Sequence, residues 1–260
     1  MKSNVTFVTC YLQIYDSDYD ESKKFEKRLE SFMKIVELGI NISLFISPEY
    51  ENIFNNIAKT YNNIKVLEVI SINDLIFTKI SNDNKEYCNL PDHRNNIKDT
   101  SNYMMLMNSK IEFLYKTINN NPFNSNYFCW FDFSLPYIFN DINKTLTEFK
   151  KHAFRNYIDS LFVIPGCYDF KINDINFLTK NVVWRFCGGF LIGDKKSLLD
   201  FYNISVEKFP DFLHSTNKLL WEVNYWAWLE NSGYISPLWF LADHNDTIIN
   251  IPLLVYEKEI

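Results

Sequence analysis

The feature that most constrains the fold is an alternation of strand-like and helix-like segments near the start of the chain. Residues 4–14 (NVTFVTCYLQI) are β-branched and aromatic, which predicts a buried strand. Residues 22–38 place apolar side chains at helical spacing, and Gly39 is a suitable residue to end that helix. Two more predicted strands, NISLFI before Pro48 and IKVLEV, flank the helical segment YENIFNNIAKTY. Strands that alternate with helices are joined by right-handed crossovers, so the sequence predicts an α/β fold with a mostly parallel sheet.

The rest of the chain continues the pattern without a repeat or a linker. Residues 71–100 are polar and weakly periodic, which is typical of a long excursion at a ligand site. Residues 101–118 predict an amphipathic helix. Further strands are predicted at YFCWF, SLFVIPG and VVWRFCGGFLIGD, and further helices at KKSLLDFYNISVEKF and STNKLLWEVNYWAWLENSG. We therefore expect residues 1–260 to form a single domain.

Composition and charge exclude several classes of protein. The chain of 260 residues has a formal net charge of −6 and no basic stripe, which argues against nucleic acid as a partner. Its five cysteines include no Cys-x-x-Cys pair, which predicts neither a zinc site nor a disulfide framework and favours a reducing, cytoplasmic compartment. The first apolar stretch has only the length of a strand, so neither a signal peptide nor a membrane span is expected there.

A single acid stands in the apolar run YFCWFDFSL, residues 127–135. Burying an unpaired carboxylate costs several kcal/mol, so Asp132 needs either a partner or a function. At the carboxyl end of a buried strand, Asp132 would face the edge where open α/β sheets bind ligands. The alternative is a structural acid that caps the turn indicated by Ser134 and Pro136.

Three of the six glycines lie in WRFCGGFLIG, residues 184–193. Gly188 and Gly189 are typical of a bulge or tight bend in a strand, and they also let a bulky ligand approach the backbone. Arg185 offers a planar fork to a phosphate or carboxylate, or it pairs with a surface acid.

Charged residues elsewhere give further candidates. Glu222 lies one position from an aromatic stripe on the helix predicted around residues 217–230, where it is either exposed or faces a cleft as a general base. The segment ADHND, residues 242–246, predicts either a metal site that includes His244 or a polar surface turn. Shortly before the Asp132 strand lie four charged residues: Arg94, Lys98, Asp99 and Lys110. The cations among them either neutralise a pyrophosphate or belong to a solvated helix entrance.

Three blocks of the sequence resemble one known family. The first strand FVTCYLQI, the block KDTSNYMMLMNSKIEFLYKTINNNPFNSNYFCWFDFSL and the later WRFCGGFLIGD together resemble the HtrL/YibB-like proteins of bacteria and giant viruses. The resemblance spans residues 4–252 and is most specific at WFDF and at the double glycine. It implies a glycosyltransferase of the GT-A fold, with helices around a mostly parallel sheet and a nucleotide-diphosphate sugar as donor.

The resemblance also implies where the donor binds. Thr9 and Tyr11, near the end of the first strand, would meet the nucleotide. The family fold usually carries an Asp-x-Asp motif that grips a divalent cation and the donor diphosphate. The positions of this chain that match the motif are Asp132, Phe133 and Ser134.

Further roles follow from the same resemblance. Gly188 and Gly189 would lie near the donor sugar, Glu222 would act as the base toward the acceptor, and His244 would be a further metal ligand. Ser134 is a departure, because it leaves one acid fewer than the full motif. Asp132 alone would hold Mn²⁺ or Mg²⁺ weakly, so His244, Asp243 or Asp246 would have to help. Otherwise Arg or Lys would stabilise the leaving diphosphate without a metal.

These expectations combine into one primary function and two alternatives. The primary function is transfer of a sugar from a nucleotide-diphosphate donor to an acceptor hydroxyl of a glycan or glycoconjugate. Lys110 or Arg185 would meet the donor charge near Asp132, and a single base, Glu222, favours inversion. The competing class is a non-catalytic protein that binds nucleotide sugars or glycans, which the sequence Asp-x-Ser favours. The third possibility is an assembly protein that binds its partners through aromatic surfaces.

Overall fold

A computed structural model describes residues 3–15, 24–171 and 174–256. Within these residues the strands form one seven-stranded sheet: β1 (Val5–Tyr11), β2 (Ile42–Ile46), β3 (Ile64–Val69), β4 (Tyr127–Phe131), β5 (Phe162–Gly166), β6 (Phe190–Asp194) and β7 (Leu238–Leu241). The order across the sheet is β3-β2-β1-β4-β6-β5-β7. β6 is antiparallel to both of its neighbours, and the other pairs are parallel. The structure thus confirms an α/β fold with a mostly parallel sheet.

The helices of the described residues cover both faces of this sheet. They are α1 (Phe25–Val36), α2 (Glu51–Thr60), α3 (Ile76–Asp83), α4 (Ser101–Asn108), α5 (Lys110–Asn120), α6 (Ile142–His152), α7 (Ile175–Lys180), α8 (Lys195–Thr216) and α9 (Glu222–Asn231). One core contains α1, α2 and α6, and the other contains α3, α4, α5, α8 and α9. None of these helices is both long and apolar enough to cross a lipid bilayer.

The central strand β4 shows why this sequence lies in the middle of the sheet. All five of its residues are buried. Because side chains alternate along a strand, Phe128 and Trp130 pack into the core with α5 and α8, while Tyr127, Cys129 and Phe131 pack into the opposite core. A strand that is apolar on both faces requires helices above and below it, as parallel sheets usually have.

Three predicted elements differ from the structure. The helix predicted over residues 101–118 is divided at Ser109, whose hydroxyl donates to the carbonyl of Met105. The helix predicted over residues 215–233 is two, because Asn217 takes a left-handed backbone (φ 51°) that ends α8, and α9 begins at Glu222. Only the last five residues of VVWRFCGGFLIGD form a strand, since the double glycine makes a turn before β6. β7 and α6 had no prediction. α7 lies where the sequence predicts a loop up to about residue 181, and α3 lies inside the polar excursion predicted over residues 71–100.

Candidate functional site

A cavity of about 420 Å³ opens at the carboxyl ends of β1 and β4. From β1 the sheet continues through β2 and β3 on one side and through β4 on the other, so the cavity lies where the strand order reverses. Open α/β sheets bind their ligands outside the carboxyl ends of the strands at this position. The volume is in the range of small-molecule sites.

Most residues that the sequence nominated line this cavity: Tyr11, Lys98, Asp99, Lys110, Asp132, Phe133, Ser134, Gly188, Gly189, Glu222 and His244. Residues from six separate parts of the chain thus meet at one edge of the sheet. The ring of Phe133 forms part of the cavity wall and stacks on Phe32, with 4.4 Å between the ring centroids.

Thr9 and Arg185 do not line the cavity. Thr9 is completely buried inside β1, which corrects the expectation that it meets a nucleotide. Arg185 donates from Nε and Nη2 to the two carboxylate oxygens of Glu230, at 2.7 and 2.8 Å. Its Nη1 donates to the carbonyl of Tyr168 at 2.9 Å. The guanidinium is therefore committed to an internal ion pair, which corrects the expectation that Arg185 meets the donor.

The centre of the site is the ammonium group of Lys110. Its Nζ lies 2.8 Å from Oε1 of Glu222, 2.9 Å from Oδ1 of Asp132 and 2.9 Å from the carbonyl oxygen of Gly188. A lysine ammonium has three N–H donors, and each has an acceptor here. The side chains of Lys110 and Glu222 are 2% and 7% exposed, whereas that of Asp132 is 44% exposed. Of the three charged side chains, Asp132 is thus the one that reaches the open cavity.

The two acids explain how Lys110 stays charged in its position. Burial by itself disfavours the ammonium, but Asp132 and then Glu222 outweigh this, and the pKa of Lys110 is raised. Lys110 is also the first residue of α5, where the helix dipole disfavours a cation, whereas Glu222 at the start of α9 is favoured. The cluster is left with one net negative charge, part of it on the exposed carboxylate of Asp132.

The turn after β4 is held by the backbone of Asp132, while its carboxylate bonds Lys110 and Trp130 instead of capping the turn. Its backbone N–H donates to the carbonyl of Gly189, and its own carbonyl accepts from Leu135, which forms a turn directly after β4. Its Oδ1 also accepts a hydrogen bond from Nε1 of Trp130 at 2.9 Å. Trp130 lies two positions earlier on β4, so both side chains are on the same face of the strand.

The residues at Asp132 do not fit a divalent cation. Oδ1 is already bound by an ammonium and an indole N–H, and the motif offers a hydroxyl from Ser134 where a second acid would stand. Hard divalent cations require several oxygen ligands, and carboxylates supply most of the charge. Neither of the acids suggested as helpers, Asp243 and Asp246, lines the cavity. Asp246 accepts hydrogen bonds from the backbone N–H groups of Asn140 and Asp141 at the start of α6.

His244 lines the cavity, but its neighbouring metal-ligating side chains do not include Asp132. In the described part of the chain, the one group of three metal-ligating side chains that includes it contains Cys167 and Cys187, without Asp132. The ring of His244 packs edge-on against Trp184, with 4.2 Å between centroids. The predicted pairing of His244 with Asp132 around one metal ion therefore has no support in the geometry.

The double glycine places the backbone of the β6 turn against the two acids. A Cβ atom on Gly188 would lie 2.0 Å from Oε1 of Glu222, so no side chain is possible there while Glu222 holds Lys110. A Cβ on Gly189 would come no closer than 3.3 Å to any heavy atom, the nearest being Cδ1 of Ile248. Gly188 is thus required by the close approach of the Glu222 side chain, whereas the approach of a ligand to the double glycine stays a prediction.

Sequence reasoning missed several residues of the cavity. Arg28 of α1 lines it, with its guanidinium 6.0 Å from the ring of Tyr11. Arg28 has no carboxylate partner among the described residues. Its position four residues before the buried Phe32 was the available signal, because residues at i and i+4 share a helix face. Tyr103 also lines the cavity, and burial, then Glu222 and Asp132, raise its pKa, so it is a neutral hydrogen-bond donor.

A family model, described as "Bacterial protein of unknown function (HtrL_YibB)", matches residues 3–219. The chain belongs to the HtrL/YibB family. This match confirms the resemblance drawn from WFDF and the double glycine, and it includes every cavity residue from Cys10 to Gly189. No curated protein matches the chain.

Solved structures with a similar fold have low sequence identity to this HtrL/YibB member. One is the apo form of mouse xyloside xylosyltransferase 1, with 8% identity and a TM-score of 0.45, over 91% of this chain and 84% of that one. Another is 4-diphosphocytidyl-2C-methyl-D-erythritol synthase from Anaerococcus prevotii, with 14% identity and a TM-score of 0.41, over 93% and 90% of the two chains.

Proposed function

We propose that this protein is a GT-A-type glycosyltransferase that moves a sugar from a nucleotide-diphosphate donor to a hydroxyl of a glycan or glycoconjugate. The observation that carries the proposal is the carboxylate pair held by Lys110 in a cavity at the switch point of the sheet. Sugar transfer needs a carboxylate near the reacting centre and preorganised positive charge for the leaving group. The cavity offers both.

The donor diphosphate is met by two cations on the cavity walls. Arg28 lies against Tyr11 on one side, and Lys98 lies on the other with its Nζ 4.8 Å from the ring centre of Tyr103. Arg28 offers two parallel N–H bonds to a phosphate. The ammonium of Lys98 is 3.9 Å from the carboxylate of Asp99, a loose pair, and the side chain of Lys98 is 41% exposed. The aromatic rings beside both cations give surfaces on which a nucleobase stacks.

The accessible carboxylate takes the role that touches substrate. Asp132 is half exposed and Glu222 is buried, so we assign contact with the acceptor hydroxyl to Asp132. Glu222 then acts through Lys110, which it holds in place against Asp132. One carboxylate beside the acceptor is what an inverting transfer requires. The expectation that Glu222 is itself the base is tested by the same variants.

Because the residues around Asp132 do not fit a divalent cation, the proposed transfer runs without a metal ion at Asp132. Arg28 and Lys98 supply the positive charge that stabilises the departing nucleotide diphosphate. Donor binding and turnover should therefore survive removal of Mn²⁺ and Mg²⁺ by a chelator. Strict dependence of binding on Mn²⁺ that is lost in Asp132→Asn would contradict this assignment.

A screen of nucleotide diphosphates and their sugars tests the proposal. Ligand binding raises the melting temperature by mass action, so a cognate donor should shift it, and slow donor hydrolysis should follow. Asp132→Asn should abolish hydrolysis while keeping the shift, and Glu222→Gln should reduce both. Asp200→Asn is the matched control, since Asp200 also pairs with a lysine, Lys196, but on the surface. No shift with any donor would refute the transferase.

The second candidate is a protein that binds nucleotide sugars or glycans without turnover. Ser134, in the place of the second acid, is the observation that favours it. It predicts the same thermal shift, no donor hydrolysis, and equal ligand affinity in the wild type and in Asp132→Asn. Hydrolysis in the wild type that Asp132→Asn removes would exclude it.

A further inference from the structure

Two thiols and an imidazole meet at the rim of the cavity. The Sγ atoms of Cys167 and Cys187 are 3.6 Å apart, and the ligand atoms of both lie within 4.8 Å of a ring nitrogen of His244. Asp243 adjoins them, with its Oδ1 3.7 Å from Sγ of Cys167 and 3.5 Å from Nδ1 of His244. Cys187 is buried, Cys167 is partly buried and His244 is exposed, so the group is open on one side.

The spacing is that of ligands around one metal ion. Two thiolates bound to zinc at ~2.3 Å in a tetrahedron lie roughly 3.8 Å apart, close to the observed separation. A disulfide would bring the sulfur atoms to about 2.05 Å. Thiolates and imidazole are also the ligands that zinc takes in proteins.

Three strands hold these side chains in place. Cys167 follows β5 directly, His244 comes shortly after β7, and Cys187 lies in the turn before β6. The backbone N–H of Cys187 donates to Pro165 at 2.7 Å, and that of Cys167 donates to Trp184 at 2.8 Å. Because the sheet fixes the backbone of each ligand, the group is preorganised.

We propose that Cys167, Cys187 and His244 form a zinc site with three protein ligands, whose fourth position opens toward Asp243. His244 also lines the cavity, so the ion lies at its rim. The site is separate from the Lys110 cluster, and the inference does not rest on sugar transfer. It also revises the expectation, drawn from the absence of a Cys-x-x-Cys pair, that this chain holds no zinc.

The test is a metal titration of the full chain after removal of metals with a chelator. Zn²⁺ is titrated in competition with a chromophoric chelator, and Co²⁺ is used to detect thiolate-to-metal charge-transfer absorption. The wild type should bind one ion per chain. Cys167→Ser and His244→Asn should weaken zinc binding by about 100-fold or more. Cys88→Ser is the matched control, because Cys88 is also a partly buried free thiol, and it should bind like the wild type.

Several results would overturn the site. These are absence of stoichiometric zinc in the wild type, unchanged affinity in Cys167→Ser and His244→Asn, or a Cys167–Cys187 disulfide in peptide maps of the unreduced protein. His244 is 40% exposed, so His244→Asn keeps the test valid if Cys167→Ser fails to fold. Asp132→Asn should bind zinc like the wild type, which separates this result from failure of the proposed transferase.

Discussion

Lys110 and Arg185 are both buried cations, but they face different environments. Lys110 is held by Asp132 and Glu222, and one of these acids reaches the cavity. Arg185 is held by Glu230, which is 4% exposed, and neither lines the cavity. Sequence reasoning treated both cations as candidates for a donor phosphate. A buried charge therefore serves a ligand only where one of its partners remains accessible.

The difference follows from what completes each cluster. The guanidinium of Arg185 forms a two-bond fork with a single carboxylate, which neutralises it. The ammonium of Lys110 has three acceptors from three segments of the chain, and two of these are acids. The Lys110 cluster therefore has one more negative than positive charge, and the exposed carboxylate of Asp132 is available for chemistry.

The largest expected effect is that of Lys110→Met. Removing the ammonium leaves Glu222 buried without a counter-charge and frees Asp132 from its fixed position. The free energy of unfolding should fall by about 3–5 kcal/mol, and donor binding should be lost. Urea unfolding and the thermal-shift screen measure both.

The control for Lys110→Met is Lys116→Met. Lys116 is on α5, like Lys110, and its Nζ lies 2.8 Å from a carboxylate oxygen of Glu68 on β3. Both side chains of this pair are partly exposed. A surface pair of this kind contributes about 1 kcal/mol or less. If the two variants unfold at the same urea concentration, the Lys110 cluster is not a buried ion-pair network.

Arg185→Met should separate stability from binding. It leaves Glu230 without its main partner, with Lys171 at 3.8 Å as a weak substitute, so the free energy of unfolding should fall by about 3 kcal/mol. The nucleotide-induced shift in melting temperature should persist, unlike in Lys110→Met. The double variant Arg185→Met/Glu230→Leu should recover most of the stability. Loss of the nucleotide shift in the folded variant would mean that Arg185 does serve the donor.

The double glycine offers a paired test of the close approach. Gly188→Ala places a Cβ 2.0 Å from Oε1 of Glu222, so the carboxylate must leave Lys110. The expected cost is about 1–3 kcal/mol, with weakened donor binding. Gly189→Ala meets nothing closer than 3.3 Å and should stay within about 1 kcal/mol of the wild type. Equal melting temperatures for the two variants would contradict this account of Gly188.

The smallest effect on stability is expected at Glu112, which is a buried acid without an ion pair among the described residues. Burial raises its pKa to about 7, although the backbone N–H of Ile76 and then Lys116 and Lys79 oppose the shift. A carboxyl whose folded-state pKa is raised stabilises the fold at low pH. That contribution is lost as the pH rises from about 4.5 to about 7.

Glu112→Gln tests this dependence. It should raise the free energy of unfolding by about 1–2 kcal/mol at neutral to alkaline pH and leave it nearly unchanged near the unfolded-state pKa. Urea unfolding across the pH range provides the measurement. An unchanged pH profile in the variant would show that another group titrates there.

Local patterns were sufficient for much of the fold. β3 was predicted with its observed bounds, and β1, β2, α1 and α2 agree closely. The apolar run before Asp132 placed that acid at the end of a central strand, where the structure has it. These features depend on side-chain periodicity over a few residues, which the chain carries in its own order.

Contacts between distant segments were beyond that reasoning. The side chains of Lys110 and Glu222 are 112 positions apart, and those of Arg185 and Glu230 are 45 apart. No spacing rule links such residues, so the sequence could nominate Lys110 and Arg185 but could not show which of them has an accessible acid as its partner. The same applies to Cys167, Cys187 and His244, which three strands bring together.

The order of residues along the chain is enough to specify an alternating α/β chain with one acid at the end of its central strand and a double glycine later in the sequence. Which charged groups neutralise one another depends on the fold, because burial and partner identity follow from how the strands are ordered across the sheet. That order puts Lys110 between Asp132 and Glu222 at an open edge, and it encloses Arg185 against Glu230.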